Sequence, residues 1–177
     1  MSAQWQTARQ VFLTLFTAIS LAACASPPLL SESDLAMLDI INPQIVGRSV
    51  VTGGQPSAAD LTVLKQSGFG TIINLRRDGE DLGFDEAEEA KALGFNYVSI
   101  PVGMDNLDVE TVLSLREALA QSKAPAFVHC GSGNRVGALY AIGAFHLDGE
   151  SLESAISKGR AAGLTVIEPQ VREILAQ

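Results

Sequence analysis

The chain of 177 residues has only two cysteines, two histidines and one tryptophan. Two cysteines cannot build a disulfide-dense scaffold. Cations are scarce as well: 12 Lys and Arg stand against 20 Asp and Glu, a formal charge of −8. Wrapping nucleic acid needs Lys and Arg to displace counterions from phosphates, so no nucleic-acid partner is expected. The chain has no basic run, glycine-rich tract or internal repeat. Hydrophobic residues make up 47% and charged residues 18%, a balance that argues against disorder over most of the length. What remains is one compact domain, either an enzyme or a small-ligand module.

Residues 1–23 read as an address. Arg9 is the only charged side chain before Glu32, and Val11 to Ala23 is an uncharged, largely apolar run. A positive start followed by a short apolar stretch is the secretory signal pattern. At 1.5 Å per residue this run is too short to cross a core of about 30 Å. It ends in Leu21-Ala22-Ala23-Cys24, which resembles the bacterial lipobox, in which the Cys receives lipid and the preceding peptide is removed. The resemblance implies Cys24 as the lipidation site and a membrane partner through that anchor. It further implies a periplasmic location, with the outer membrane favoured by Ala25 and Ser26. Cleavage after Ala23-Cys24-Ala25, releasing a soluble protein, is the alternative. If Cys24 is lipidated, Cys130 is the only thiol left and cannot form an intramolecular bridge.

Residues 24–44 read as a tether with a short turn near Leu35 to Asp39, and 45–177 as the folded domain. There strand-like and helix-like segments alternate. Ser49–Thr52, Thr71–Leu75, Asn96–Pro101 and Pro125–His129 are β-rich. Helical patterns cover the stretch after the Ser57–Asp60 capping box, then Asp85–Leu93, Val109–Leu119, Arg135–Leu147, Ser151–Ala161 and Pro169–Leu175. The fourth of these is apolar nearly all round, as a buried helix is. This alternation predicts a single α/β domain with a central four- to five-stranded, mostly parallel sheet flanked by helices. The acids Glu86, Glu88 and Glu89 are expected to form a solvated helix face.

The informative stretch is His129-Cys130-Gly131-Ser132-Gly133-Asn134-Arg135. A buried strand delivers a Cys, small residues follow, and an Arg opens a helix. The glycines permit tight backbone angles and close approach of a ligand. Amides of a loop entering a helix converge on a concavity that favours an anion. A guanidinium fork can clamp two oxyanion oxygens. The same field favours a thiolate, since helix N-termini and nearby cations lower the pKa of a thiol. Such sites lie at the carboxyl ends of strands in open α/β sheets.

These residues resemble the signature of cysteine-dependent protein tyrosine and dual-specificity phosphatases. A closer similarity is to the bacterial phosphatase-like family found fused to a beta-lactamase-type hydrolase. It extends to Thr52-Gly53-Gly54-Gln55-Pro56-Ser57 and Thr71-Ile72-Ile73-Asn74-Leu75-Arg76, and covers roughly residues 45–165. The resemblance implies a dual-specificity-phosphatase-like fold, with Cys130 as nucleophile forming a phosphocysteine. Arg135 and the amides of Gly131, Ser132, Gly133, Asn134 and Arg135 would hold the phosphate. His129 would position and tune the Cys, and Asp105 would be the general acid, with Asp108 in reserve. The implied partner is a phosphorylated small molecule or phosphoprotein. No cofactor is implied, and no metal-ligand spacing is present.

Two departures keep other chemistries open. Four residues separate Cys130 from Arg135, where such phosphatases have five and rhodanese-type sulfurtransferases have four. Val136 stands where a Ser or Thr commonly assists breakdown of the phosphoenzyme, so slow turnover is expected unless Ser132 substitutes. The alternatives are sulfur transfer through a Cys persulfide and a binding module that cradles an oxyanion without turnover. Arg76 and Arg77 are expected near the same cleft, in contact with substrate or bridged to Asp78, Glu80 or Asp81.

Overall fold

Runs of β-branched residues too short for helices build the sheet. A computed structural model describes residues 35–80, 83–122 and 125–176; the signal segment and Cys24 lie outside these. The strands are β1 (Gln44–Val46), β2 (Val50–Gly53), β3 (Thr71–Asn74), β4 (Asn96–Ser99) and β5 (Ala126–His129). They lie in the order β1-β2-β5-β3-β4. Among the described strands only β1 runs antiparallel to its neighbour, while β5 pairs in parallel with both β2 and β3. The last strand in sequence is therefore central, with both edges hydrogen-bonded.

Among the described residues six helices cover the sheet: α1 (Ala58–Gln66), α2 (Glu86–Ala92), α3 (Val109–Ala120), α4 (Asn134–His146), α5 (Leu152–Ala161) and α6 (Glu168–Leu175). Ser57 and Asp60 form the capping box of α1, each side chain bonding the other's backbone N–H. Asp85, Asp108 and Ser151 accept backbone N–H groups at the starts of α2, α3 and α5.

Alternation along the strands divides the core into two layers, because successive side chains point to opposite faces. Ile72 and Phe127 pack with Leu61, Leu64 and Phe69 on the α1–α2 side. Ile73, Val128 and Cys130 pack with Val136, Leu139 and Ile142 on the side of α3 to α6. Helix α4 is buried as its apolar circumference predicts, with Val136, Ala138, Leu139, Ala141 and Ile142 each at most 1% exposed. Gly137 permits its closest crossing: a Cβ there would strike the backbone of Leu164 and Gly159.

The segment read as a tether differs. Leu35, Leu38 and Ile40 are buried against Leu61 and Phe127, and Gln44–Val46 adds an edge strand. Two short apolar runs, Leu35-Ala36-Met37-Leu38 and Ile40-Ile41, broken by Asp39 and followed by a three-residue strand with one flank unpaired, leave little periodicity to detect. Residues 35–46 contribute to the packed unit.

Candidate active site

Strand β5 and helix α4 position the loop that carries Cys130. Cys130 directly follows β5, is 1% exposed and has a free thiol. Its N–H donates to the Gly53 carbonyl at 3.3 Å, and the Gln55 N–H donates to the Gly131 carbonyl at 3.4 Å. The Gly53-Gly54-Gln55 turn therefore braces one side of the loop. Gly133 has φ 83°, the left-handed region that glycine adopts without steric cost. A Cβ there would lie 3.2 Å from Asn42 Nδ2. The sequence reading did not single out Asn42. Its Nδ2 donates to the Gly163 carbonyl at 2.9 Å and to the Ser132 carbonyl at 3.4 Å. A lone Asn outside any motif offered no signal for this.

Helix α4 starts at Asn134, so the first-turn amides have no intrahelical carbonyl and face the loop as donors. The Asn134 side chain is turned elsewhere. Its Oδ1 accepts from Thr165 N at 2.9 Å, Thr165 Oγ1 at 3.1 Å and Ile167 N at 3.3 Å, while Nδ2 donates to Ser132 Oγ at 3.2 Å. Its side chain thus ties the loop to the segment before α6, and only its backbone N–H is left for the cradle.

Arg135 is held by Glu80. Nη1 and Nη2 donate to Glu80 Oε1 and Oε2 at 2.6 and 2.8 Å, and Nη1 also donates to the Val102 carbonyl at 2.8 Å. Nη2 lies 3.6 Å from where a Cβ of Gly131 would stand, so the fork reaches over the loop. Glu80 also accepts from Arg77 N at 2.8 Å and lies 3.3 Å from Arg76 Nε. The Arg135 hydrogen bond, against opposing burial, holds the Glu80 carboxyl down at about 2. Glu80 in turn raises the Arg135 guanidinium above its ordinary value; burial opposes this, and charge on Cys130 adds to it. Bridging between Arg76 and Glu80 matches one of the two sequence expectations.

Asp105 lies in the 3₁₀ turn Met104–Asn106, beyond the Val102 carbonyl that binds Arg135. Its carboxylate is 75% exposed and paired with Arg77, whose guanidinium crosses over Gly103. Asp108 is committed to the start of α3, where Oδ1 accepts from Thr111 N at 2.8 Å. That bond fills the reserve acid with a structural task.

His129 lies on the face of β5 opposite Cys130 and stacks on Phe127, with ring centroids 5.7 Å apart. It is fully buried, and Nε2 sits 3.0 Å from Glu86 Oε1, although neither ring nitrogen meets hydrogen-bond geometry. Glu86 corrects the expectation of a wholly solvated acid face: Glu88 is exposed, but Glu86 is fully buried. It begins α2 pointing inward, where His129, Gln55 and Tyr97 meet its carboxylate. Among the described residues no group of three or more His, Cys, Asp or Glu side chains could hold a metal ion.

Residues 43–146, more than half of the chain, match the family described as "Beta-lactamase hydrolase-like protein, phosphatase-like domain". A beta-lactamase hydrolase-like protein of Agrobacterium fabrum is 34% identical over 115 residues, which are 63% of this chain and 26% of that protein. The chain thus matches about a quarter of that relative's length. A crystallised candidate phosphatase (DUF442) from Shewanella putrefaciens CN-32 is similar at 26% identity and TM-score 0.63, over 82% of this chain and 95% of that one. P. aeruginosa TpbA, solved as C132S in complex with pTyr, shares the fold at 20% identity and TM-score 0.55, over 86% and 99% of the two chains. The matched residues include the free Cys130, the helix start that follows it and the Arg135 held over the loop, and the chain belongs to the beta-lactamase hydrolase-like protein, phosphatase-like domain family.

Proposed function

We propose that the chain hydrolyses a phosphomonoester through a phosphocysteine on Cys130. The observation that carries this reading is Arg135, clamped by Glu80 and Val102 above the loop that presents the Cys130 thiol. The Cys130 thiolate attacks phosphorus, a P–S bond forms, and the ester P–O bond breaks as its oxygen takes a proton. Water then attacks phosphorus, the P–S bond breaks, and inorganic phosphate leaves with the thiolate restored. Arg135 and the α4 amides bind the equatorial oxygens, whose charge they stabilise without reorganising. Asp105 supplies the proton once it leaves Arg77, and takes one back from the water that attacks phosphorus. Glu80, ionised down to about pH 2, has no proton to give.

The substrate is a phosphorylated protein or small molecule. The complex of TpbA with pTyr supports an aryl phosphate as the probe. A lipid anchor at Cys24 would place the domain on the periplasmic side of a bacterial membrane.

Val136 in place of a hydroxyl residue makes breakdown the slow step, so the intermediate accumulates. Brief exposure of the chain to an aryl phosphate, rapid quenching and peptide mass analysis should find one phosphoryl group on Cys130. Its absence, together with thiocyanate formation from thiosulfate and cyanide, would favour sulfur transfer, the reading supported by the four-residue loop.

A further inference from the structure

We propose that Ile41, Met104 and Val166 are specificity-determining residues that seat the hydrocarbon body of the substrate, so that the phosphomonoester taken is one of a long-chain alcohol. The proposal rests on reading the Cys130 loop as the phosphate cradle. Large apolar side chains that gather in water at one place mark a surface that is covered in use. These three are 64%, 50% and 80% exposed, and they come from segments far apart in sequence.

Each segment is tied to the cradle by its own contacts. The Ile41 carbonyl accepts from Gly54 N at 2.8 Å. A Cβ placed on Gly54 would stand 3.1 Å from Ile41 Cβ and 3.0 Å from the Gly131 carbonyl oxygen, so Ile41 adjoins the start of the loop. Val166 lies between Thr165 and Ile167, whose N–H groups both donate to Asn134 Oδ1, at 2.9 and 3.3 Å. Met104 follows Val102 by two residues, and the Val102 carbonyl accepts from Arg135 Nη1 at 2.8 Å. The exposed apolar groups are thus placed beside Gly131, Asn134 and Arg135 in turn. By contrast, Val63 and Leu113 are exposed singly on α1 and α3, as scattered apolar residues of any surface are.

The polar side chains of the same segments are engaged within the protein. Asn42 Nδ2 donates to the Ser132 and Gly163 carbonyls, and its Oδ1 accepts from Gln44 Nε2 at 3.1 Å. Asn106 Oδ1 accepts from Gly103 N at 2.7 Å, and its Nδ2 donates to the Pro101 carbonyl at 2.9 Å. Asp105 pairs with Arg77, Thr165 Oγ1 donates to Asn134 Oδ1 at 3.1 Å, and Glu168 binds Arg160 and Arg172.

That division decides which alcohol fits. A sugar or nucleotide body would bring hydroxyl groups against side chains that cannot pair with them, and an unpaired polar group costs free energy when it is covered. A peptide backbone carries the same need for partners at every residue. A hydrocarbon chain needs none and gains by leaving water. Binding energy from this non-reacting part then helps hold phosphorus against Cys130.

The test is calorimetric binding of straight-chain alkyl phosphates to the full chain carrying Cys130→Ser. Octyl phosphate should bind at least about tenfold more tightly than ethyl phosphate, since each methylene covered adds affinity. Ile41→Ser combined with Val166→Ser should bring the two esters within about threefold of each other. Affinity for inorganic phosphate, which is too small to reach these side chains, should stay as it is. Leu113→Ser, on the solvent face of α3, should change neither quantity. Equal affinity for the two esters overturns the proposal, as does a chain-length dependence that survives the double substitution. Tighter binding of a phosphotyrosine peptide than of octyl phosphate also overturns it, in favour of a protein substrate. If the double variant does not fold, Met104→Ser decides, and an unchanged ratio of the two affinities contradicts the proposal. A chain that binds not even inorganic phosphate fails the cradle reading and this proposal together. Binding involves no turnover, so a chain that prefers octyl phosphate yet hydrolyses no ester fails the proposed function alone.

Discussion

Glu80 grips both terminal nitrogens of Arg135, at 2.6 and 2.8 Å, from the turn after β3. Two elements far apart in sequence thus meet at one guanidinium, which the turn holds over the loop carrying Cys130. Charged hydrogen bonds of this kind contribute ~1.5–3 kcal/mol each. Glu80→Gln should therefore lower kcat/KM for an aryl phosphate roughly ten- to a hundredfold, chiefly by loosening Arg135. Wild-type kinetics in this variant would show that the loop alone fixes the guanidinium.

The same pair gives the fold a pH dependence of known sign. A carboxyl whose folded value is depressed stabilises the fold above its unfolded value and loses that contribution as pH falls through the folded one. For Glu80 the window runs from 4.5 down to about 2. Thermal melts across that window should show wild type losing more stability on acidification than Glu80→Gln. Parallel curves would mean that the pair contributes nothing to folding.

Much of this arrangement is legible in the sequence, and the gaps have physical causes. The alternation of apolar strands with capped helices gives the sheet, because each local pattern agrees with the tertiary outcome. The Cys130–Arg135 stretch is recognisable because glycines, a helix start and an Arg sit within a few consecutive positions. Glu80 and Glu86 are not legible in that way. Each is one acid among several in its segment, and which one turns inward is decided by distant partners, Arg135 and His129, 55 and 43 residues away. Asn42 and β1 are hidden for a related reason, since short edge segments carry little periodic signal.

Asp105 provides a test of the proton donor. A general acid contributes about 10²- to 10⁴-fold to rate, most where the leaving oxygen is strongly basic. Asp105→Asn should therefore slow an alkyl phosphate far more than a nitrophenyl phosphate. Arg77→Ala frees the carboxylate from its surface partner and should leave the alkyl rate unchanged or raise it. An Asp105→Asn variant with undiminished alkyl phosphate turnover would assign the acid elsewhere.

Gly137 tests the packing that seats helix α4. An added methyl would meet the Leu164 and Gly159 backbone, which cannot move as a side-chain end could. Overpacking of this kind costs about 1–3 kcal/mol, so Gly137→Ala should lower Tm by several degrees. An unchanged Tm would show that α4 and α5 can separate without loss.

The most direct test of a cysteine phosphatase is the initial rate of aryl phosphate hydrolysis by the chain under reductant, across about pH 5–8, beside Cys130→Ser. A rate that vanishes with the serine variant, and also with Arg135→Ala, is the predicted result. Hydrolysis that survives both substitutions, or a wild-type rate no greater than that of Cys130→Ser, would contradict it.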